Sequence, residues 1–284
     1  MLACYKLGYQ VLMAAKQHSF SYSQLGTYSS CPQKYKLIYI DKIYKKHDSI
    51  EAFMGKVVHE VLEWLYNDKF DYCIWDHIEE KYNQIWNEKW HDDIFIAQIK
   101  KQYNTQHFKK MGLECLRNYY KLNGGPTIDY SNVKGVEMKI EFKIDSFNFK
   151  TVIDRLDDNG ESIAIHDYKT GKPKTARMLK KDLQLFIYMK AVQSIDKSNK
   201  EITLNWHYLK EKDPSKQHIK IIKSNMELDE HKEDLLNQVH QIIDAKKKNS
   251  FPAKTSFLCN WCYLWEECEA KAQYNERNPS IRAK

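Results

Sequence analysis

The chain has 284 residues, with 45 lysines plus arginines against 38 aspartates plus glutamates and a formal net charge of +7. With 42% hydrophobic and 13% aromatic residues it has the material for a buried core, which excludes a globally disordered chain. A mean hydropathy of −0.71, with no apolar run approaching ~18 residues, excludes a membrane-spanning helix.

The basic excess is mostly lysine. Only five of the 45 cations are arginine (Arg117, Arg155, Arg177, Arg277, Arg282). Lysines act as point charges, so the balance suits a polyanion held without reading of its bases. Near the N-terminus, Leu7 to Ala15 is interrupted by Gln10 and preceded by a single lysine, so no targeting segment is expected and a cytoplasmic location is. Ser21 to Cys31 is polar and turn-like, and Cys31-Pro32 opens an aromatic-rich helix over Lys34 to Ile40. Between Glu51 and Tyr66, apolar residues recur at Phe53, Met54, Val57, Val58, Val61, Leu62 and Leu65, a helical period. Two further helices are expected from about Trp75 to Leu122, ended by Asn123-Gly124-Gly125-Pro126.

After that break the period changes to two. Val136, Met138, Ile140 and Phe142 alternate, as do Phe147 and Phe149, followed by Val152 to Leu156. Asp157-Asp158-Asn159-Gly160 signals a hairpin turn, and Ser162 to Tyr168 is the returning strand. Thr170-Gly171-Lys172-Pro173 precedes one helix from about Arg177 to Val192; strands follow at Ile202 to Tyr208 and His218 to Lys223. Glu227 to Lys248 is a long amphipathic helix whose lysine-rich end suits its macrodipole. The order predicts an α/β core with helices on its faces and a helical insertion before the sheet.

The hairpin carries the most informative chemistry. Asp167 and Lys169 stand two apart on a strand, so their side chains share a face. With a two-residue loop at Asn159-Gly160, Asp154 pairs opposite Ile165 and has Asp167 as its diagonal neighbour, ~7–8 Å away. Both aspartates sit at the ends of apolar runs, where a charge needs a partner or a task. Two carboxylates that converge can hold a hard cation such as Mg²⁺ or Mn²⁺, which polarises phosphoryl oxygen and acidifies water, with a lysine beside it. A solvated surface Asp-Lys pair is the competing reading of the same residues.

The pattern Ile153-Asp154-Arg155 with Asp167-Tyr168-Lys169-Thr170-Gly171 resembles the core of the PD-(D/E)XK nucleases of the RecB-like branch. Gly55-Lys56-Val57-Val58-His59 matches that branch's upstream Gly-x-x-x-His, and Gln184-Leu185-Phe186-Ile187-Tyr188 its downstream Gln-x-x-x-Tyr. Glu137 stands where the branch has a glutamate opening the first core strand. Thr151 departs from the pattern, which usually has a small residue, typically glycine, three before the first aspartate. The resemblance implies a restriction-endonuclease-like mixed sheet flanked by helices. It further implies His59, Asp154 and Asp167 as ligands of Mg²⁺ or Mn²⁺, with the Tyr168 carbonyl as a further one. Glu137, Asp154, Asp167 and Lys169 would be catalytic, and Arg155, Gln184 and Tyr188 would contact or position DNA.

Cys259-Asn260-Trp261-Cys262 and Cys268 put three thiols within ten residues, which favours a metal site over chance packing. The fourth ligand lies elsewhere, with Cys4, Cys31, Cys73 and Cys115 as candidates. Spacing alone does not separate zinc from iron. Tyr28-Ser29-Ser30-Cys31-Pro32 resembles the N-terminal cysteine motif of iron–sulfur RecB-like nucleases, which include AddB-type helicase-nuclease subunits and CRISPR-associated adaptation exonucleases. That resemblance implies a [4Fe–4S] cluster on Cys31, Cys259, Cys262 and Cys268, shielded by Trp261, Tyr263 and Trp265 and joining the two ends of one domain, with zinc as the alternative. Cys73 and Cys115 read as small buried residues.

The expected organisation is one nuclease domain: an N-terminal Cys/His helical part (18–66), a helical insertion (67–126), a catalytic α/β core (133–225) and a C-terminal helix with the Cys cluster (226–270). Lys100, Lys101, Lys109 and Lys110 would let the insertion roof the site and thread a strand. The expected function is metal-dependent hydrolysis of DNA from single-stranded ends, in repair, recombination or CRISPR-type processing. The alternative is an iron–sulfur DNA-end-binding subunit of a helicase-nuclease or spacer-integration assembly. No Gly-x-x-x-x-Gly-Lys-Ser/Thr occurs, so ATP binding is not expected.

Overall fold

The structure is a computed structural model that describes residues 19–222, 225–270 and 280–282. Cys4, the segment Leu7 to Ala15 and the end of the expected strand at Lys223 lie outside the described residues. The elements run β1 (Ser19–Phe20), α1 (Tyr22–Ser30), α2 (Pro32–Tyr35, continued by a π-helical turn Lys36–Ile40), β2 (Asp48–Ser49) and α3 (Ile50–Asp68). Then come α4 (Trp75–Lys89), β3 (Ile94–Ala97), α5 (Thr105–Leu122), β4 (Val133–Ile144), β5 (Phe147–Asp158) and β6 (Ser162–Lys169). The chain continues through α6 (Ala176–Lys180), α7 (Leu183–Ile195), β7 (Glu201–Tyr208), α8 (Pro214–Gln217), β8 (His218–Ile221), α9 (Asn225–Lys248) and β9 (Ser280–Arg282).

The main sheet is mixed. β5 pairs antiparallel with β4 and β6, β1 adds to β5 in parallel, β6 and β7 are parallel, and β7 and β8 are antiparallel. A small second sheet joins β2, β3 and β9. One apolar core packs the sheet residues Phe142, Phe149, Ile153 and Ile165 against Phe186, Leu235 and Val239 of α7 and α9. A second core is mostly helical: α3, α4 and α5 pack together through Val57, Tyr82 and Leu116, and Tyr168 of β6 reaches into it.

The polar stretch Ser21 to Cys31 is helix, not turn. The Ser21 hydroxyl caps it by accepting the Gln24 N–H, and Leu25 is its buried anchor. The expected helix from Arg177 to Val192 is two helices, because Asp182 caps a new start at Leu183. The expected two-residue turn is longer. Asp158 pairs with Ile163 and Arg155 with His166, so Leu156, rather than Asp154, lies opposite Ile165. Asn159 stabilises the wider loop by accepting the Glu161 and Ser162 N–H groups. The strand expected from His218 to Lys223 ends at Ile221 and follows the short helix α8.

Candidate active site

Helix α3 delivers His59 to the sheet, and glycine allows the approach. A Cβ on Gly55 would lie 3.2 Å from the Thr170 hydroxyl just beyond β6, so the helix rests against the end of the strand that carries Asp167 and Lys169. His59 Nδ1 lies 3.6 Å from Asp154 Oδ2, and the same oxygen accepts the Tyr168 N–H at 2.8 Å. Glu137 joins them from β4. Its φ of 47° places a non-glycine residue in the left-handed region in mid-strand, at a cost of ~1–2 kcal/mol.

His59, Glu137 and Asp154 present donor atoms that all lie within 4.8 Å of one another. Burial pushes the Glu137 carboxyl up to about 7, with Asp154 adding to the effect. Burial followed by the Asp167 charge pushes Asp154 up to about 6. The two carboxylates repel one another unless a cation sits between them, and the oxygen-rich set with an imidazole nitrogen beside it suits a divalent ion. The residues therefore fit a metal. Glu137, expected to act in catalysis, belongs to this donor set.

Asp167 occupies a different position from the one expected of it as a ligand. Its Oδ2 is ion-paired with Lys169 Nζ at 2.6 Å, while its Oδ1 accepts from Gln184 Nε2 at 3.0 Å and the Tyr188 hydroxyl at 2.9 Å. It is 3% exposed and lies next to, not within, the group formed by His59, Glu137 and Asp154. Lys169 is also held over the Trp206 ring at 4.9 Å and lies 3.4 Å from Gln184 Oε1. Gln184 and Tyr188, one turn apart on α7, thus orient the acid and the lysine. Tyr188 is 4% exposed, so its part is to hold Asp167 and not to lie against a DNA strand.

Arg155 is likewise corrected. It is 6% exposed, and its Nη1 donates to the Tyr119 and Tyr168 hydroxyls at 2.8 and 3.0 Å. Nη2 donates to His166 Nδ1 at 2.9 Å, Nε pairs with Asp157 at 3.0 Å, and the guanidinium stacks 4.2 Å from the Tyr66 ring centre. A cation bound on every side cannot meet a phosphate. Nor does the segment 67–126 roof the site. The metal pocket is walled by α3, β4 and β5 alone, while Lys109 packs over Trp86.

The histidines beneath Lys169 escaped the sequence reading. His207 Nε2 donates to His166 Nδ1 at 2.8 Å, and His207 also stacks on His218 at 4.7 Å. Burial holds His166 down to about 4 and His207 well below its usual value, so both are neutral. The signal was present in the alternation. His166 and Tyr168 must face away from Asp167 and Lys169, hence toward Arg155 and the second core.

The profile of the PD-(D/E)XK nuclease superfamily matches residues 19–269. The chain belongs to this superfamily. Among solved structures it is similar to a crystal structure from Eubacterium rectale, provisionally described as an exonuclease, with 12% identity, 90% of each chain covered and a TM-score of 0.50. At that identity the likeness is one of fold. No curated protein matches in sequence. In the PD-(D/E)XK nuclease described here, Asp154, Asp167 and Lys169 stand in the order that names the superfamily.

The four cysteines at 31, 259, 262 and 268 line one small cavity of about 150 Å³ together with Trp261 and Trp265. Tyr263 lies apart from that lining and receives Lys34 over its ring. Burial raises the Cys262 and Cys268 thiols. Cys73 and Cys115 are 1% and 0% exposed, as expected of packing residues.

Proposed function

We propose that the protein is a divalent-metal-dependent deoxyribonuclease that removes nucleotides from single-stranded DNA ends. The observation that carries this reading is the convergence of His59, Glu137 and Asp154, with the Asp167–Lys169 pair beside it. A bound Mg²⁺ or Mn²⁺ would supply Lewis acidity toward phosphoryl oxygen and lower the pKa of water. The chain's own residues do the rest. His59, Glu137 and Asp154 would hold the ion with Asp167 beside them, and Lys169 Nζ would neutralise charge developing on phosphate. Gln184 and Tyr188 keep Asp167 Oδ1 fixed so that Oδ2 and Lys169 move as a unit.

The same reading takes the chain, 1–284, as one nuclease domain with 67–126 as a helical insertion. It places a [4Fe–4S] cluster on Cys31, Cys259, Cys262 and Cys268, and sets the enzyme in DNA repair, recombination or CRISPR-type DNA processing.

Incubation of anaerobically purified protein and its Asp167→Ala variant with Mn²⁺ and linear or circular single-stranded DNA tests the reading. Nucleotide release from linear DNA by the wild type alone is expected, with circular DNA intact. Equal release by the variant would remove the enzyme assignment, and cutting of the circle would remove the exonuclease one.

A further inference from the structure

Three depressions adjoin on the surface, joined by two shared residues. The first is the metal pocket, about 370 Å³, with Val152 in its wall beside Glu137 and Asp154. The second, about 550 Å³, begins at the same Val152 and takes in Lys139, Glu141 and Lys150, with Gln184 and Tyr188 on its inner side. The third, about 540 Å³, begins at the same Lys150 and continues between Tyr39, Lys42, Tyr44 and Lys246.

The strand register builds the middle of this path. Lys139 lies opposite Val152 and Glu141 opposite Lys150 across β4 and β5, so the four side chains share one side of the hairpin, and all four are exposed. The third depression is framed by the N-terminal helices and the end of α9. There Lys246 lies over the Tyr35 ring at 5.8 Å, and Tyr44 is 80% exposed.

The chemistry changes along the path as a polynucleotide strand requires: acids at the metal pocket, lysines next, and aromatic rings among lysines at the far end. Lysines 36, 45 and 56 nearby are each tied to an acid. No ion pair engages Lys42, Lys139, Lys150 or Lys246 among the described residues, and Glu141 is the one carboxylate lining the two outer depressions. Unpaired lysines following an exposed ring are the elements of a groove that tracks phosphates and stacks bases without reading them.

We propose that this track holds the single-stranded DNA leading into the active site, with phosphates over Lys139 and Lys150 and bases stacked on Tyr39 and Tyr44 between Lys42 and Lys246. The proposal deepens the nuclease reading and rests on it for its direction.

Binding of fluorescein-labelled (dT)20 by the full chain without divalent metal, followed by anisotropy over a salt series, tests it. Tyr44→Ala is expected to weaken binding about tenfold. Lys42→Ala and Lys150→Ala are each expected to lower the slope of log K against log salt by about 0.7. Lys100→Ala, at a lysine that lines none of the three depressions, serves as the control and changes neither. With Mn²⁺ and protein limiting, the track variants are expected to cleave (dT)20 more slowly than the Lys100→Ala control. Track variants that bind like the Lys100→Ala control would overturn the proposal. A wild type that binds through these residues yet cleaves nothing would leave the track standing and remove the nuclease reading instead.

Discussion

Asp167 directs one carboxylate oxygen to Gln184 and Tyr188 and the other to Lys169, so its orientation depends on a phenol too buried to meet substrate. Tyr188→Phe deletes one hydrogen bond to a buried charge, worth ~1.5–3 kcal/mol. The expected result is a fall in kcat of about 10- to 100-fold with little change in KM, measured on linear single-stranded DNA. Asp154, Asp167 and Lys169 were legible in the sequence because a period of two ties spacing to facing. Arg155 was misplaced although the same period applies to it: a motif position was read as a DNA contact before asking which core its face meets. The neutral histidines below it make a separate prediction. His166 is held at about 4 in the fold against a usual 6.5, so the unfolded chain takes up a proton first as pH falls. Stability is therefore lost from pH 6.5 down to about 4, by ~3 kcal/mol from His166 alone, and His207 acts in the same direction. Urea unfolding at pH 7 and pH 4.5 should show a smaller loss in His166→Asn than in the wild type. An identical loss in both would place the acid sensitivity elsewhere.

At the scale of elements, the sequence read well where burial dictated the pattern and poorly where a cap decided the boundary. Helix α3 and strands β4 to β7 follow their apolar periods because at least one side of each meets a core. Helix α1 has a single buried anchor, Leu25, so no period betrayed it. Its signal was Ser21 followed three residues later by Gln24, a start signature lost among polar residues. The break between α6 and α7 has the same origin, since Asp182 accepts the Gln184 N–H and is pinned by Lys174 at 2.7 Å. The helical core contains a position where propensity and packing oppose each other. Gly112 lies inside α5, where alanine would ordinarily gain ~1 kcal/mol. A Cβ there would fall 2.1 Å from the Tyr82 hydroxyl and 3.0 Å from Met54 Cγ, and Tyr82 is fully buried with its hydroxyl bonded to the Lys109 carbonyl. Overpacking costs ~1–3 kcal/mol, so the clash exceeds the propensity gain. Gly112→Ala should lower the urea midpoint with an unchanged slope, and a raised midpoint would show that α4 and α5 move apart freely.

Across the whole molecule, segments at residues 30–34 and 253–268 meet at the cysteine cavity, joined by polar contacts. Gln33 accepts the Glu269 N–H at 3.2 Å, Lys254 Nζ donates to the Ser29 carbonyl at 3.0 Å, and Lys45 pairs with Glu267 at 2.6 Å. The segment from Phe257 to Ala270 holds only a short 3-10 helix and buries few side chains, so its own packing does not fix it. The sequence showed three of these thiols as a set because they are close in the chain. The fourth, Cys31, depends on a contact more than 220 residues long, which the Lys254 N–H to Cys31 Sγ approach at 3.4 Å exemplifies. If a cluster binds the folded chain alone, a thousandfold excess over its dissociation constant adds ~4 kcal/mol. Cys31→Ser and Cys268→Ser should therefore lose absorbance near ~400 nm and lower Tm on the order of 10 °C, with early proteolysis between residues 250 and 270. Cys115→Ala removes a thiol buried in the helical core and should keep the absorbance. Retained colour in Cys31→Ser would exclude that residue as a ligand, and colourless wild-type protein containing zinc would exclude the cluster. Because the cavity and the site formed by His59, Glu137 and Asp154 share no lining residue, a variant that lacks the cluster but remains folded should still bind Mn²⁺. On that proposal a cluster would govern how long the fold lasts, and the set formed by His59, Glu137 and Asp154 would govern what it does.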